Sequence, residues 1–266
     1  MSRDNPWMCR RVIGFAHQGG AAEGPPSTIE AMRRARQNRA SALEFDLHLT
    51  RNKDLVLNHD KTIEVDGRKV KIAEHSLDEL RALKPDMAEL QEVLQTFPGM
   101  PLTVEIKRLR AAGRAGRALD EEARTRPIIV TAFNPLTVLV ARLAGRRLDL
   151  APGMAAIAAF WFASRIGLAL PMSRRHVALQ VPIRFDQVMG LKRSKRLRGV
   201  LFTDQKLLTA AHRRKMAVHV WTVNEDSDMD RLLDADEKPD GFFTDRPSVL
   251  TAALEHHGVL WTQDDD

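Results

Sequence analysis

The stretch "ALEFDLHLT", Ala42–Thr50, indicates the fold because apolar and polar side chains alternate along it. Successive side chains of a β-strand point to opposite faces, so Glu44, Asp46 and His48 share one face, whereas Phe45 and its leucine neighbours share the other. The apolar face can pack beneath helices, and the other face then directs two carboxylates into the protein. Buried carboxylates without a compensating charge are costly, so this face requires a cation.

Seven further β-like runs lie along the chain, and helix-like segments with polar N-caps separate most of them. They are "RVIGFA" (Arg11–Ala16), "LTVEIKR" (Leu102–Arg108), "PIIVTAF" (Pro127–Phe133), "LDLAPGM" (Leu148–Met154), "HVALQVP" (His176–Pro182), "AVHVWTVN" (Ala217–Asn224) and "GFFTD" (Gly241–Asp245). A shorter run, "DLVLNHD" (Asp54–Asp60), follows Ala42–Thr50 closely. Repeated strand–helix units predict a parallel sheet, and eight main strands in 266 residues predict a single domain over residues 1–266, an α/β (β/α)8 TIM barrel. A doubly wound open sheet is the alternative, but no glycine-rich dinucleotide motif follows any strand.

Composition limits the classes of function. The formal net charge is +6, which indicates either solvated basic faces or an anionic partner such as nucleic acid, a membrane surface or a phosphorylated substrate. The basic residues cluster in "KRLRAAGRAGR" (Lys107–Arg117), "ARLAGRR" (Ala141–Arg147) and "LKRSKRLR" (Leu191–Arg198). Aromatic residues make up 5% and tyrosine is absent, so we expect no nucleic-acid partner. The single Cys9 excludes an internal disulfide framework, and no signal peptide is evident, so we expect a cytoplasmic protein.

A second strand repeats the arrangement of charges. In "VEIK", Glu105 and Lys107 share one face, and the carboxyl ends of barrel strands meet at one mouth. Three carboxylates converging there, Glu44, Asp46 and Glu105, would form an oxygen site suited to Mg²⁺ or Ca²⁺. The alternative for each strand is a salt bridge within a barrel layer.

Two histidines follow strands at the same predicted mouth. His17 ends the first strand, and His59 follows the carboxylate strand. Two imidazoles beside a divalent ion can act as base and acid in phosphoryl transfer. Gly19 and Gly20 would let the backbone approach a phosphate or a metal there. We assign no function to five further histidines, which we expect to be surface or internally bonded residues: His75, His212, His219, His256 and His257.

An apolar segment interrupts the strand–helix pattern. "GMAAIAAFWFASRIGLALPM", Gly153–Met172, contains Arg165, and this interruption argues against a membrane span. It is either a buried barrel helix or a helix that contacts an acyl chain or a membrane surface through Phe160, Trp161 and Phe162.

These motifs, in this order, resemble the glycerophosphodiester phosphodiesterase family from Ile13 to Val249. The resemblance implies a TIM barrel that cleaves glycerophosphodiesters or lysophospholipids with Mg²⁺ or Ca²⁺, and peripheral membrane contact would fit a lipid substrate. Carried over residue by residue, the matching positions are His17 and His59 for acid and base, Glu44, Asp46 and Glu105 for metal ligands, Lys107 for a phosphate contact, and Trp221 for an aromatic at the substrate entrance.

Three features depart from the family pattern. Gln18 stands where the family usually has arginine, so it would bind the substrate phosphate through one neutral hydrogen bond. "PPST" (Pro25–Thr28) replaces a "PENT"-like turn, and the stretch between His59 and Glu105 is short for a substrate-capping insertion. The "HQGG" form resembles the lysophospholipase D-like branch. A catalytically weakened phospholipid-binding module is the alternative function, and a basic RNA-binding protein is a third hypothesis.

Overall fold

The computed structural model describes residues 5–9, 11–168, 170, 172–188, 196 and 199–261. Its strands are β1 Ile13–Ala16, β2 Ala42–Leu49, β3 Leu55–Leu57, β4 Thr62–Val65, β5 Arg68–Lys71, β6 Leu102–Ile106, β7 Ile128–Thr131, β8 Asp149–Leu150, β9 Ala178–Pro182, β10 Ala217–Trp221 and β11 Gly241–Thr244. Its α-helices are α1 Ile29–Gln37, α2 Leu77–Leu83, α3 Leu90–Thr96, α4 Leu109–Glu122, α5 Pro135–Ala144, α6 Met154–Arg165, α7 Gln205–His212, α8 Asp226–Leu233 and α9 Pro247–His256.

Eight parallel strands form the barrel, in the order β8-β7-β6-β2-β1-β11-β10-β9. The two ends of this order meet where Leu150 bridges His176 in parallel, and the Val177 amide donates to the Leu150 carbonyl at 3.1 Å. Helices follow the strands around the outside, as βα connections require. The predicted (β/α)8 barrel is confirmed.

Strand register determines which residues meet at the mouth. β1 and β11 pair with Ala16 opposite Thr244, so the residues that follow, His17 and Asp245, leave neighbouring strands at the same level. β2 and β6 pair with Asp46 opposite Glu105. The barrel therefore brings the carboxylates and the first histidine to one end.

Two elements differ from the sequence expectation. The run Leu148–Met154 contributes only the short strand β8, because Pro152 has no amide hydrogen for a sheet and Gly153 is the N-cap of α6. The run Asp54–Asp60 contributes only β3, which pairs antiparallel with β2.

A short hairpin that the sequence analysis did not predict follows β3. β4 and β5 pair antiparallel around Asp66 and Gly67, which both have positive φ values, 48° and 73°. This is the geometry of a type I′ turn, for which Asp-Gly is a favoured dipeptide. Chain between His59 and Glu105 thus forms this hairpin together with α2 and α3.

The helices α4 and α5 approach each other closely behind β6 and β7. A Cβ atom on Gly116 would lie 2.3 Å from the Ala141 carbonyl oxygen, so only glycine permits this approach. A Cβ atom on Gly113, in the same helix, would have no neighbour closer than 3.7 Å. The two helices begin at the barrel mouth, so this contact also positions their first residues.

The apolar segment after β8 forms α6, part of which is core. Phe160 is buried, and Trp161 is half-buried, donating its indole N–H to the Phe202 carbonyl at 2.9 Å. Phe162 and Ile166, by contrast, are 66% and 75% exposed. Within the described part of the chain, no helix has the length and apolar character that crossing a membrane requires.

Candidate active site

His17 is held between two carboxylates directly after β1. Its Nδ1 lies 2.6 Å from Asp245 Oδ1, and its Nε2 lies 3.8 Å from Glu44 Oε2. Burial lowers the pKa of His17, but the charges of Glu44 and Asp245 outweigh burial and raise that pKa to about 9. The imidazole is therefore oriented by one carboxylate while its other nitrogen faces the interior of the mouth.

Asp245 is in turn held by Asn224, which follows β10. The Asn224 side-chain amide donates to Asp245 Oδ2 at 2.6 Å, and the Asp245 backbone N–H donates to Asn224 Oδ1 at 2.9 Å. The Asp245 carboxylate therefore has little freedom to rotate away from His17. Neither Asp245 nor Asn224 was predicted from the sequence to have a role at the site. Because closure of a barrel makes the first and last strands neighbours, the residue after "GFFT" could have been paired with His17 from the sequence.

The ammonium of Lys107 lies between two carboxylates on neighbouring strands. Its Nζ is 2.8 Å from Asp46 Oδ1 and 3.1 Å from Glu105 Oε1. Asp46 is 1% exposed, and its second oxygen, Oδ2, is buried without a hydrogen-bond partner. Two of the three carboxylates that were predicted to converge, Asp46 and Glu105, therefore meet at the Lys107 ammonium.

Burial raises the pKa of all three carboxyl groups predicted to bind a metal. For Glu44 and Glu105 burial is the largest cause, and neighbouring positive charges offset it only in part. Burial, followed by the charge of Glu44, raises the pKa of Asp46 to about 6. Burial alone would lower the pKa of Lys107, but Asp46 and Glu105 raise it above its ordinary value. A site that holds this much negative charge out of water favours additional positive charge.

These carboxylates have the chemistry of a divalent-cation site. All the donors are oxygens, which Mg²⁺ and Ca²⁺ prefer, and the buried Asp46 Oδ2 is left without a partner. In the described residues, however, no three acidic, histidine or cysteine side chains are arranged closely enough to hold a metal as they stand. Lys107 supplies the compensating charge between Asp46 and Glu105 instead. The donor set fits a hard cation.

His59 lies in the loop after β3 and is the most exposed of the predicted catalytic residues. Its side chain is 56% exposed, and its Nδ1 lies 3.1 Å from Asp60 Oδ1. A positive charge on His59 would offset a small part of the rise in the pKa of Asp46 and Glu105, which places His59 on the same side of the barrel as these groups. The carbonyl oxygen of His59 lies 3.3 Å from Nε2 of the buried His48, a contact the sequence analysis did not anticipate. His48 therefore supports the loop that carries His59.

Gln18 and Trp221 were predicted to contact substrate. Gln18 has a positive φ of 50°, and its backbone N–H donates to Glu44 Oε2 at 3.0 Å. The main chain of Gln18 therefore orients a carboxylate whatever its side chain binds. Trp221 ends β10 and is half-buried against the cluster of apolar side chains inside the barrel.

Two of the histidines without a predicted role have well-defined structural contacts. His212 lies 2.8 Å from Glu237 Oε2 and 3.0 Å from Asp240 Oδ2, and its hydrogen bond with Asp240 is the largest cause that raises its pKa to about 9. His219 is fully buried against Phe15 and other rings, and burial lowers its pKa to about 3. Both observations agree with structural roles.

Comparison with known proteins gives one family. The model of the Glycerophosphoryl diester phosphodiesterase family matches residues 17–249. A lysophospholipase D of Mus musculus is 31% identical over 110 residues, which is 35% of this chain and 33% of that relative, so the chain spans about a third of its length. A Mycobacterium tuberculosis protein named "Probable glycerophosphodiester phosphodiesterase 2" is 26% identical over 92% of both chains.

Solved structures give the same fold. A phosphodiesterase of Oleispira antarctica, determined in complex with the product sn-glycerol-3-phosphate, superposes with a TM-score of 0.68 at 17% identity. The match covers 92% of this chain and 97% of the Oleispira chain. At this identity the likeness supports the barrel fold alone.

Proposed function

The chain belongs to the glycerophosphoryl diester phosphodiesterase family, and on that premise we propose that it hydrolyses glycerol-linked phosphodiesters. The products would be an alcohol and a glycerol phosphate, or a lysophosphatidate where the glycerol carries an acyl chain. One observation supports the proposal above the others. His17, fixed by Asp245, stands beside Glu44 at the same mouth as the Lys107 ammonium.

The proposed mechanism uses the two histidines for proton transfer. A neighbouring glycerol hydroxyl attacks phosphorus, and one histidine removes the hydroxyl proton as the new P–O bond forms. The P–O bond to the departing alcohol breaks, and the other histidine protonates that oxygen. Water then opens the cyclic phosphate, and the proton transfers run in reverse. Lys107 supplies positive charge to the phosphate oxygens, and Asp245 fixes the ring orientation of His17.

We further propose that hydrolysis depends on a divalent cation held by Glu44, Asp46 and Glu105. Their oxygen donors, their raised pKa values and the unpartnered Asp46 Oδ2 support this choice. When bound, Mg²⁺ or Ca²⁺ would neutralise phosphate oxygens and make the attacking hydroxyl more acidic. Lys107 pairs with two of these carboxylates. A cation bound by them would replace this pairing, and the Lys107 ammonium would then be free to turn toward the phosphate.

A product assay tests this proposal. The protein is incubated with glycerophosphoglycerol and with lysophosphatidylglycerol, each with Mg²⁺, with Ca²⁺ or with excess chelator, and the released glycerol phosphate or lysophosphatidate is quantified. We expect release with at least one ion and none in chelator. Full activity in chelator would exclude metal dependence, and no release from any substrate would exclude the function.

A stripe of exposed leucines on α5, the helix that begins at the mouth, supports a lipid-tailed substrate and peripheral membrane contact. Leu136, Leu139 and Leu143 recur at helical spacing on α5 and are 49%, 45% and 71% exposed. Phe133, two residues before α5, is 62% exposed and lines a cavity that Lys107 also lines. Exposed apolar residues in a contiguous stripe indicate an interaction surface. Most of the basic run Leu191–Arg198, which was predicted to meet lipid head groups, lies outside the described residues.

A double variant of α5 tests the lipid proposal. Leu139→Ser together with Leu143→Ser should raise the KM for vesicle-bound lysophosphatidylglycerol and leave the KM for glycerophosphoglycerol unchanged. The matched control is Leu83→Ser, an exposed leucine on α2. An equal change for both substrates would exclude a lipid-specific role for the stripe.

A further inference from the structure

A cavity beside Lys107 extends the candidate site toward solvent. It has a volume of about 650 Å³, and its walls come from the β4–β5 hairpin region and from the first residues of α4 and α5. Among its described lining residues, none is aspartate or glutamate. Five of them are cationic: Lys61, Lys71, Lys107, Arg108 and Arg110. The charged residues that line the cavity are therefore all positive, and the cavity opens from the mouth at which we propose that the phosphodiester binds.

The five cationic side chains differ in whether they form ion pairs or hydrogen bonds within the protein. Lys107 pairs with Asp46 and Glu105, and Lys71 Nζ lies 2.7 Å from Glu74. Arg110 donates to the Leu49 carbonyl. Lys61 and Arg108 have no carboxylate within 4.0 Å among the described residues, and both are exposed at the cavity.

The position of these two cations indicates what they would meet. Arg108 directly follows Lys107, Lys61 follows His59 by two residues, and both line the cavity. A phosphodiester bound near Lys107 would therefore place one of its two ester groups in the cavity that Lys61 and Arg108 also line. A neutral head group would leave both charges uncompensated by the ligand.

A cationic head group fits this cavity poorly. Quaternary ammonium groups are bound by cages of several Trp, Tyr or Phe rings or by acids, and Phe133 is the single residue of these three types among the described lining residues. Like charges facing a bound cation would also oppose binding.

On the premise of the proposed function, we propose that this cavity binds the substrate head group and selects head groups that carry an additional anion, such as a phosphate monoester. Lys61 and Arg108, which both line the cavity, would contact that anion. Selection by this cavity would decide which substrates are preferred and would leave the hydrolysis step unchanged.

Two substrates that differ by one phosphate test the proposal. We compare kcat/KM for glycerophosphoinositol 4-phosphate and for glycerophosphoinositol. Two partly exposed ion pairs should favour the phosphorylated substrate by about threefold to tenfold at low salt. This ratio should decrease toward one as salt rises to about 0.5 M, because the charges are screened. Glycerophosphocholine should be the poorest substrate.

The variant Lys61→Gln/Arg108→Gln should bring the ratio close to one. Its matched control is Arg33→Gln/Arg36→Gln, which removes two exposed charges from the outside of α1 and should keep the wild-type ratio. The proposal would be overturned if the wild-type protein had equal kcat/KM for the two substrates. It would also be overturned if Lys61→Gln/Arg108→Gln kept the wild-type ratio.

Calorimetric titration of metal-free protein with the same two compounds separates this proposal from the function. Suppose that neither compound is hydrolysed but that glycerophosphoinositol 4-phosphate binds more tightly, and that Lys61→Gln/Arg108→Gln abolishes this difference. The proposed activity is then wrong and the proposed anion site is correct. If both compounds are hydrolysed and bind equally, the activity is correct and the anion site is wrong.

Discussion

The variant Asp245→Asn tests whether the carboxylate behind His17 positions a catalytic imidazole. It removes the charge that lies 2.6 Å from His17 Nδ1 and keeps the size of the side chain. Asn224, which holds Asp245, remains in place. The change therefore removes the carboxylate from His17 and creates no cavity.

The expected size of the effect follows from the pKa of His17. Burial lowers this pKa, and Glu44 and Asp245 together raise it to about 9. An opposite charge in direct contact shifts a pKa by about 1 to 3, so without Asp245 we expect the pKa to fall to between about 6 and 8. A pKa change of 1 corresponds to about 1.4 kcal/mol. If the same interaction orients the ring during proton transfer, its loss should lower kcat by about tenfold to a thousandfold.

NMR titration of the His17 ring in metal-free protein and steady-state kinetics with glycerophosphoglycerol measure the two effects. The control is Asp230→Asn, which makes the same substitution 3.7 Å from the ring of His257 on another face. We expect the control to keep wild-type kcat and Asp245→Asn to keep a wild-type melting temperature within a few degrees. A His17 pKa that stays at about 9, or a kcat within a factor of two of wild type, would refute the positioning role.

Four further outcomes are expected. His17→Ala and His59→Ala should each lower kcat by about 10²–10⁴-fold with little change in melting temperature, as measured by steady-state kinetics and calorimetry. The divalent ion concentration for half-maximal activity should rise in three variants: Glu44→Gln, Asp46→Asn and Glu105→Gln. His212→Asn should destabilise the protein by about 1 to 3 kcal/mol near pH 6 and by much less near pH 10, measured by urea unfolding. The sign follows because the folded pKa of about 9 exceeds the unfolded value of 6.5, so this stabilisation is complete below 6.5 and is lost as pH rises through 9. Gly116→Ala should cost about 1 to 3 kcal/mol because its Cβ atom meets a carbonyl at 2.3 Å, whereas Gly113→Ala should be neutral or slightly stabilising.

The barrel could be predicted because its strands carry strong local patterns. In β2, apolar Leu43, Phe45 and Leu47 are fully buried, while Glu44 and Asp46 lie on the opposite face, as the alternation indicated. Strand ends were less predictable. Pro152 shortens β8 because it offers no amide hydrogen, a constraint visible in the sequence but outweighed there by the apolar run.

The candidate site was predictable where residues lie on one strand and less so where they lie far apart. Glu105 and Lys107 share a face of β6, so their proximity to Asp46 required only the pairing of neighbouring strands. Asp245 is 228 positions from His17, and their contact depends on closure of the barrel. The cationic cavity is a further case, since Lys61 and Arg108 come from separate loops.

The central claim is that this mouth hydrolyses a glycerol-linked phosphodiester, and ³¹P NMR of glycerophosphoglycerol with Mg²⁺ or Ca²⁺ tests it most directly. We expect the diester resonance to be replaced by that of a glycerol phosphate monoester, with a cyclic phosphate resonance before it, and we expect His17→Ala to leave the diester intact over the same time. A diester that persists with wild-type protein and either ion, or one that His17→Ala converts as fast as wild type, would contradict the account.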